Sequence, residues 1–261
     1  MGSLIILASC LMLSGCAEAD FGLPSSVSSQ GEEVAHLWRL FAAVALVIGL
    51  LVWGLIGWSV IAYRRRGDQL PKQTHFNIPI EIAYTAIPFV IVAFLFAATM
   101  RGLTNIERKS SRPDVVIEVT GFQWQWRFHY PNQGINVVGT TDQPAEMVVP
   151  AGAKVRVSLT STDVIHAFYV PEFLVKHDAI PGRRTQFDLE VTETGNFPSG
   201  RCAEFCGLNH DRMTFTVRAL PRSEFDAWAS SASAASVAGR ESGAAKSSAP
   251  INKPVSVEFA V

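Results

Sequence analysis

Residues 122–130 read Phe-Gln-Trp-Gln-Trp-Arg-Phe-His-Tyr, and this segment decides the fold of the larger part of the chain. Aromatic side chains occupy every second position, and polar side chains lie between them. A period of two is typical of a β-strand that buries one face and exposes the other. The segment therefore predicts a strand whose aromatic face belongs to the core of a β domain.

Shorter patterns of the same kind lie on both sides of this segment, separated by Pro, Gly, Asn and Asp. Many short strands at such spacing predict an all-β, Greek-key sandwich over residues 112–228. Ser223 is expected to cap a short helix near the end of that domain. The further predicted strands are residues 114–120, 146–149, 153–159, 164–170, 185–191 and 213–219.

Two apolar segments precede the β domain. Residues 40–62 and 82–100 contain 23 and 19 residues without a charge. At about 1.5 Å per residue, each helix is long enough to cross a hydrocarbon core of about 30 Å. We therefore expect a transmembrane helical hairpin over residues 35–101. The alternative for each segment is a buried core helix.

The charges around the hairpin predict its orientation. The loop between the two segments contains Arg64, Arg65, Arg66 and Lys72 against one Asp68, whereas the first 38 residues contain four acids and no Lys or Arg. The positive-inside rule then places the loop in the cytoplasm. Both termini and the β domain are expected on the outer, periplasmic face of a bacterial plasma membrane.

The two ends of the chain have compositions of their own. Residues 1–19 contain a ten-residue apolar run, which predicts a leader, and Leu13-Ser14-Gly15-Cys16 is similar to a lipoprotein cleavage box. Lipidation of Cys16, simple cleavage after residues 17–19 and an uncleaved terminus are the alternatives. Fifteen of the residues 229–249 are Ala or Ser, so residues 229–261 are expected to form a flexible tail.

The overall composition excludes several classes of protein. Charged residues make up 17% of the chain and the net charge is −1, which argues against a disordered chain and against a basic nucleic-acid-binding surface. No Cys-x-x-Cys-His haem attachment motif, Gly-rich phosphate loop or Ser nucleophile elbow is found in the sequence.

Residues 202–213 hold the densest group of metal-binding side chains: Cys202, Cys206, His210 and Met213. A further imidazole, His166, lies 36 residues upstream of Cys202 in a predicted strand. A Cys202–Cys206 disulfide and a Cys2His2 zinc site are the simpler interpretations. The thioether favours copper. The chain also has one thiolate more than a mononuclear blue-copper site needs, and this additional thiolate would allow two copper ions.

On these residues the chain resembles subunit II of haem–copper cytochrome c oxidase. The resemblance covers about residues 30–228 and includes the hairpin and the Gln-Trp-Gln-Trp sequence at 123–126. It also includes Asp163-Val164-Ile165-His166, residues 176–183 and Cys202-Ala-Glu-Phe-Cys-Gly-Leu-Asn-His210. The family usually has an aromatic residue at the position of Gln125 and often an acid at that of Thr162.

The resemblance implies a cupredoxin-like domain with a dinuclear copper A centre. Cys202 and Cys206 would bridge both ions, and His166 and His210 would each bind one. Met213 would be a weak ligand to one ion, and the backbone carbonyl of Glu204 a weak ligand to the other.

The resemblance also implies three roles outside the copper ligands. The carboxylate of Glu204 would bind a magnesium ion shared with subunit I. Trp124 would be the point where electrons enter from cytochrome c. Glu81 would stand at the entrance of a proton path from the cytoplasm.

The implied function is electron transfer within a respiratory oxidase that contains subunits I and III. The chain would take electrons from a soluble or membrane-held cytochrome c and pass them to a haem in subunit I, where O2 is reduced to water and protons are pumped. The copper A subunit of a haem–copper nitric oxide reductase is the alternative. A quinol oxidase subunit II would lack the copper ligands, and a copper chaperone would not need the membrane hairpin.

Overall fold

The computed structural model describes residues 22–65, 67, 74–140 and 142–247, with side chains described up to residue 234. The predicted leader, Cys16 and residues 248–261 of the predicted tail lie outside the described residues.

Two long helices form the membrane hairpin, α1 over Ser29–Ala62 and α2 over Ile78–Ile106. Both are long and apolar enough to cross a membrane, and no residue in the most apolar stretch of either helix is buried by the rest of the chain. A core helix of a soluble domain would be covered by its own chain, so the exposure favours spanning helices. The helices extend beyond the predicted spans on the side of the β domain, and α2 continues through Pro88.

The β domain is a sandwich of two five-stranded sheets. One sheet has the order β3-β2-β1-β5-β8 and the other β4-β10-β9-β6-β7. The pairs β1–β5 and β4–β10 are parallel, and all other pairs in the sheets are antiparallel. The strands are β1 Val115–Phe122, β2 Gln125–Tyr130, β3 Ile135–Val138, β4 Ala145–Pro150, β5 Val155–Ser161, β6 His166–Val170, β7 Val175–Ala179, β8 Thr185–Leu189, β9 Gly195–Cys202 and β10 Thr214–Leu220.

Aromatic side chains fill the space between the sheets. Trp126, Phe128 and Tyr130 of β2 are fully buried, which confirms that the aromatic face of this segment belongs to the core. The Trp126 and Phe128 rings pack edge-on against Phe215 of β10, with centroids 5.5 and 5.6 Å apart. The Tyr130 hydroxyl donates to the Val148 carbonyl at 3.0 Å and accepts from the Val148 amide at 2.8 Å.

The segment 122–130 is not one strand, in contrast to the prediction. β1 ends at Phe122 and β2 begins at Gln125, and these two residues pair across a tight turn formed by Gln123 and Trp124. The alternation continues through the turn, and the turn lacks the Asn-Gly or Asp-Gly residues that usually mark such loops. The strands β3, β7 and β9 were not predicted either, because they lack a clear apolar alternation.

Part of the segment expected to be a flexible tail, residues 229–247, lies in a helix. Helix α3 runs over Arg222–Ser247. Ala is the strongest helix former, so an Ala-rich segment that follows a packed first turn continues as a helix. Phe225 and Ala229 are buried on the sandwich, and the Trp228 ring lies 5.3 Å from that of Tyr130. Because α3 begins at Arg222, Ser223 lies in its first turn and not at the cap.

Candidate metal centre

Strand pairing brings the predicted ligands together at one end of the sandwich. His166 is the first residue of β6, and Cys202 is the last residue of β9, its neighbour in the sheet. The Cys202 amide donates to the Met213 carbonyl at 2.9 Å, which fixes Met213 beside the end of β9. Cys206 lies in the loop between them, and His210 begins a short 3-10 turn that ends at Arg212.

The donor atoms of these side chains lie within a narrow range of distances. The Sγ atoms of Cys202 and Cys206 are 3.8 Å apart. His166 Nδ1 lies 3.9 Å from Cys202 Sγ, and His210 Nδ1 lies 3.5 Å from Cys206 Sγ. Met213 Sδ is 3.8 Å from Cys206 Sγ. Two ligands at tetrahedral angles and about 2.3 Å from one ion are roughly 3.8 Å apart, so the spacing fits a metal site.

The site is enclosed by protein. Cys202, Cys206, His166 and Met213 are buried, and His210 is partly buried. Both cysteines are free thiols, and their separation is much larger than the disulfide bond length of about 2.05 Å. The described residues therefore present separate thiols beside an imidazole, the arrangement of a candidate metal site.

The two thiols differ in acidity because their surroundings differ. Burial tends to raise the pKa of Cys202, but hydrogen bonds with His166 and with the backbone at Glu204 and Ala167 outweigh burial and lower that pKa. Burial and the nearby charge of Cys202 raise the pKa of Cys206. Metal binding to both sulfurs must therefore displace a proton from Cys206.

Asp163 supports the buried imidazole, a role that the sequence interpretation did not assign. Its Oδ1 lies 2.8 Å from His166 Nε2, and its Oδ2 accepts a hydrogen bond from the Gln123 amide at 2.7 Å. Burial opposes ionisation of Asp163, but these hydrogen bonds lower its pKa. A carboxylate on the outer nitrogen of a ligating imidazole fixes the ring orientation and leaves the other nitrogen free for a metal. The position of Asp163 three residues before His166 was the available signal.

The turn between β1 and β2 contacts the metal-binding loop. The Trp124 Nε1 and Gln123 Nε2 groups both donate to the Cys206 carbonyl, at 3.1 and 2.8 Å. Gly207 has a φ of +114°, and a Cβ there would lie 3.2 Å from Gln123 Nε2. A side chain at position 207 would be strained and would crowd these donors. Trp124 thus touches the backbone of a candidate ligand residue.

The backbone and side chain of Glu204 have different partners. Its carbonyl oxygen accepts from Cys202 Sγ at 3.2 Å. Its carboxylate is exposed and lies 3.5 Å from Lys176 Nζ, which also approaches Asp178 at 3.6 Å. The carbonyl therefore faces the thiols, while the carboxylate is available on the outer surface.

Apolar side chains form part of the surface around the loop. Phe205 and Leu208 are 79% and 85% exposed, and Ile165, next to His166, is 43% exposed. Exposed apolar groups next to an active centre are typical of a surface that a partner covers.

Glu81 and Gln125 lie outside the cluster of donors. Glu81 is in the first turn of α2, where its carboxylate accepts from the Asn77 amide at 2.8 Å. This contact caps the helix. Gln125 is buried, and its amide atoms make no hydrogen bond within the described residues.

Comparisons with known proteins agree with both parts of the fold. Residues 136–220 match the family profile "Cytochrome C oxidase subunit II, periplasmic domain", and residues 16–101 match the corresponding transmembrane domain. The probable cytochrome c oxidase subunit 2 of Streptomyces avermitilis is 37% identical over 249 residues, covering 79% of this chain and 78% of that protein. Cytochrome c oxidase subunit 2 of Mycobacterium tuberculosis is 30% identical over 279 residues, covering 83% and 77%.

A solved structure is also similar to the β domain. The crystal structure of the periplasmic domain of cytochrome oxidase subunit II from Bradyrhizobium japonicum shares 37% identity, covers 48% of this chain and 96% of that one, and superposes with a TM-score of 0.43.

Proposed function

The chain belongs to the cytochrome c oxidase subunit II family, and from this membership we propose how its residues carry electrons. It is a membrane subunit of a respiratory haem–copper oxidase, and its function is electron transfer. The proposal concerns the metal content of the site, the route of the electrons and the orientation of the chain in the membrane.

We propose that the candidate site holds two copper ions. Cys202 and Cys206 would hold both ions through their sulfurs, with His166 on one side and His210 on the other. Met213 and the Glu204 carbonyl would be weak outer ligands. The single observation that carries this proposal is the convergence of two thiols, two imidazoles and a thioether at contacts of 3.5–3.9 Å.

The chemistry of these donors favours copper over zinc. Thiolate and thioether sulfur are soft ligands that select copper, whereas structural zinc sites use only Cys, His and carboxylate groups. Bound copper supplies a one-electron carrier at this position. The protein contributes burial, which excludes water, and a rigid strand framework, which keeps the ligands in place when the charge of the site changes.

The route of the electrons follows the contacts of the site with the surface. Trp124 is partly buried, and its indole N–H binds the Cys206 carbonyl. We propose that cytochrome c docks on the apolar surface near Trp124 and that electrons enter there. They leave toward a haem of subunit I in a complex that also contains subunit III. Oxygen reduction to water and proton pumping take place in that complex and not in this chain.

The remaining assignments are extensions of the same proposal. The Glu204 carboxylate would bind magnesium at the boundary with subunit I after releasing Lys176. Glu81 would lie at the cytoplasmic entrance of a proton path in addition to capping α2. Both termini and the copper domain would lie on the periplasmic side of the bacterial plasma membrane, with Cys16 available for lipidation.

Copper content and electron paramagnetic resonance of the full-length chain, loaded with copper in detergent, test the proposal. We expect two copper ions per chain that share one unpaired electron in the mixed-valence state. The Cys202→Ser variant should lose this shared signal. One copper per chain, or none together with a Cys202–Cys206 disulfide, would contradict the proposal. The purified complex should consume oxygen and not nitric oxide, and a comparison of the two rates distinguishes the oxidase from a nitric oxide reductase.

A further inference from the structure

Both membrane helices are attached to the same short segment of the β domain. This segment, residues 188–192, begins at the end of β8 and is called the anchor segment here. The start of α1 and the end of α2 lie side by side, since Asn105 Nδ2 donates to Glu33 Oε1 at 3.1 Å. Gly102 of α2 is buried against Leu37 of α1. The two helix ends therefore reach the anchor segment as a pair.

The first attachment joins the start of α1 to the backbone of the anchor segment. The Ser29 amide donates to the Glu190 carbonyl at 3.0 Å, and the Thr192 amide donates to the Val27 carbonyl at 2.9 Å. The Glu190 amide in turn donates to Gln30 Oε1 at 3.1 Å. The two backbone hydrogen bonds form an isolated β-bridge between Ser28 and Val191, and the Gln30 side chain adds a third hydrogen bond to the same backbone.

Ser28 and Gly31 leave no free space in this attachment. Ser28 is 1% exposed, and its hydroxyl donates to the Phe173 carbonyl at 2.9 Å and accepts from the Gly31 amide at 3.0 Å. A Cβ at position 31 would lie 2.4 Å from the Phe173 carbonyl oxygen. Only glycine lets the first turn of α1 approach the β domain this closely.

The second attachment joins the segment after α2 to the same place through an ion pair. Asp188 is 5% exposed and pairs with Arg156 of β5. The Ser110 amide donates to Asp188 Oδ2 at 2.5 Å, and Arg156 Nη2 donates to the Ser110 carbonyl at 2.6 Å. Both backbone groups of Ser110 are thus held by charged partners, which form the stronger class of hydrogen bond.

The metal site lies at the far end of the strands that start at this junction. Val155 of β5 pairs with Leu189 of the anchor segment, and Ser161 at the other end of β5 pairs with Gly121, which lies against His166. At a rise of about 3.3 Å per residue, the six steps from Val155 to Ser161 separate the junction from the metal end by roughly 20 Å. A tilt of about 5° at the junction would therefore move the metal end by roughly 2 Å.

We propose that Asp188 and Gly31 are positioning residues for electron transfer from this chain to the partner's haem. The inference rests on the proposed function. Tunnelling rates fall steeply with the distance between donor and acceptor, so a displacement of this size at the metal end would slow the exit of electrons. The ligand set itself would remain intact, because neither residue contacts a ligand.

Two variants in the intact oxidase complex test the proposal, Asp188→Asn and Gly31→Val. The first removes the charge that holds Ser110, and the second separates the start of α1 from Phe173. Glu118→Gln is the matched control, because Glu118 of β1 also pairs with an arginine, Arg184 at 3.0 Å, which lies just before β8. Within the described residues, Glu118 makes no hydrogen bond or ion pair with either helix end. Copper content, copper spectrum and the rate of copper reduction by cytochrome c should stay at wild-type values in all three variants.

Two measurements should separate the variants from the control. Amide hydrogen exchange at Ser29 and Ser110 should become about tenfold faster or more in both variants, because it reports local opening. The rate of electron transfer from copper to the partner's haem, followed after flash reduction, should fall by about tenfold or more, as expected for a displacement of this size.

The outcomes decide between the proposal and its alternatives. An unchanged exit rate in an assembled Asp188→Asn complex with faster exchange would overturn it. So would a loss of the copper spectrum, which would show a structural effect on the site, or a failure of both variants to assemble while Glu118→Gln assembles. A wild-type complex without a mixed-valence copper signal would instead overturn the proposed function.

Discussion

The carboxylate of Asp163 holds the imidazole of His166, with Oδ1 at 2.8 Å from Nε2. The same carboxylate binds the Gln123 amide in the turn that carries Trp124. One side chain outside the ligand set therefore connects a candidate ligand with the candidate point of electron entry.

Asp163→Asn should weaken metal binding without removing a ligand. An amide cannot stabilise the ring orientation of His166 as a carboxylate does, so copper affinity should fall by roughly 10–100-fold. Competition with a copper chelator on the full-length chain measures the change. Asp142→Asn is the control, because Asp142 is an exposed acid of the same domain. Equal affinities in the two variants would contradict the supporting role of Asp163.

Trp124→Ala should reduce turnover with cytochrome c and leave the copper spectrum intact. The ring and its hydrogen bond to Cys206 would both be lost, whereas all ligands would remain. Trp124→Phe separates the two contributions, because it keeps an aromatic ring and removes the N–H donor. Steady-state turnover and the copper spectrum of the purified complex are the measurements. Wild-type turnover in Trp124→Ala would disprove the entry role.

Association with a soluble cytochrome c should depend only weakly on ionic strength. Residues 112–228 contain 14 acids and 11 bases. Several of these acids are already paired, among them Glu146 with Arg218 at 2.8 Å and Asp163 with His166. Strong steering needs a concentrated charge of one sign. Stopped-flow association rates from low to physiological salt test this, and a steep fall would reveal an acidic patch that this charge balance does not suggest.

The first turns of α3 should matter for stability, whereas its later part should not. A chain that ends at residue 221 loses buried Phe225 and Ala229 and the contact of Trp228 with Tyr130. Burial of one large apolar side chain stabilises by about 1.5–3 kcal/mol, so this truncation should lower the free energy of unfolding by several kcal/mol. Truncation after residue 234 keeps these contacts and is the control. Thermal unfolding, monitored through the loss of the copper signal, measures the stability of both truncated chains.

The parts of the molecule that sequence could predict are those with a strong local signal. The hairpin follows from two uninterrupted apolar runs, and the sulfur and imidazole donors lie within one short loop plus His166. The turn at Gln123 and Trp124 was missed, because a two-residue turn does not interrupt the alternation of aromatic and polar side chains. The short helix expected near Ser223 is present, but its length was missed, since α3 continues to Ser247. An Ala- and Ser-rich composition suits a linker as well as a helix until Phe225 and Trp228 pack against the sandwich.

Asp163 and the anchor segment show a second reason why part of the structure could not be predicted from the sequence. The partners of Asp163 lie 3 and 40 residues away, and Ser110 and Asp188 are 78 residues apart. Such pairs have no periodicity in the sequence and depend on the strand register, which only the folded sheets define.

The attachment of α1 to the anchor segment also sets an order of events during synthesis. Val27 and Ser29 leave the ribosome early, but their partners Thr192 and Glu190 follow about 160 residues later, a separation that the Glu190–Gln30 contact also spans. The start of α1 can reach its final position only after the β domain has been synthesised and folded. A nascent chain arrested before β8 emerges should therefore expose residues 26–31 to protease, and release of the full chain should protect them.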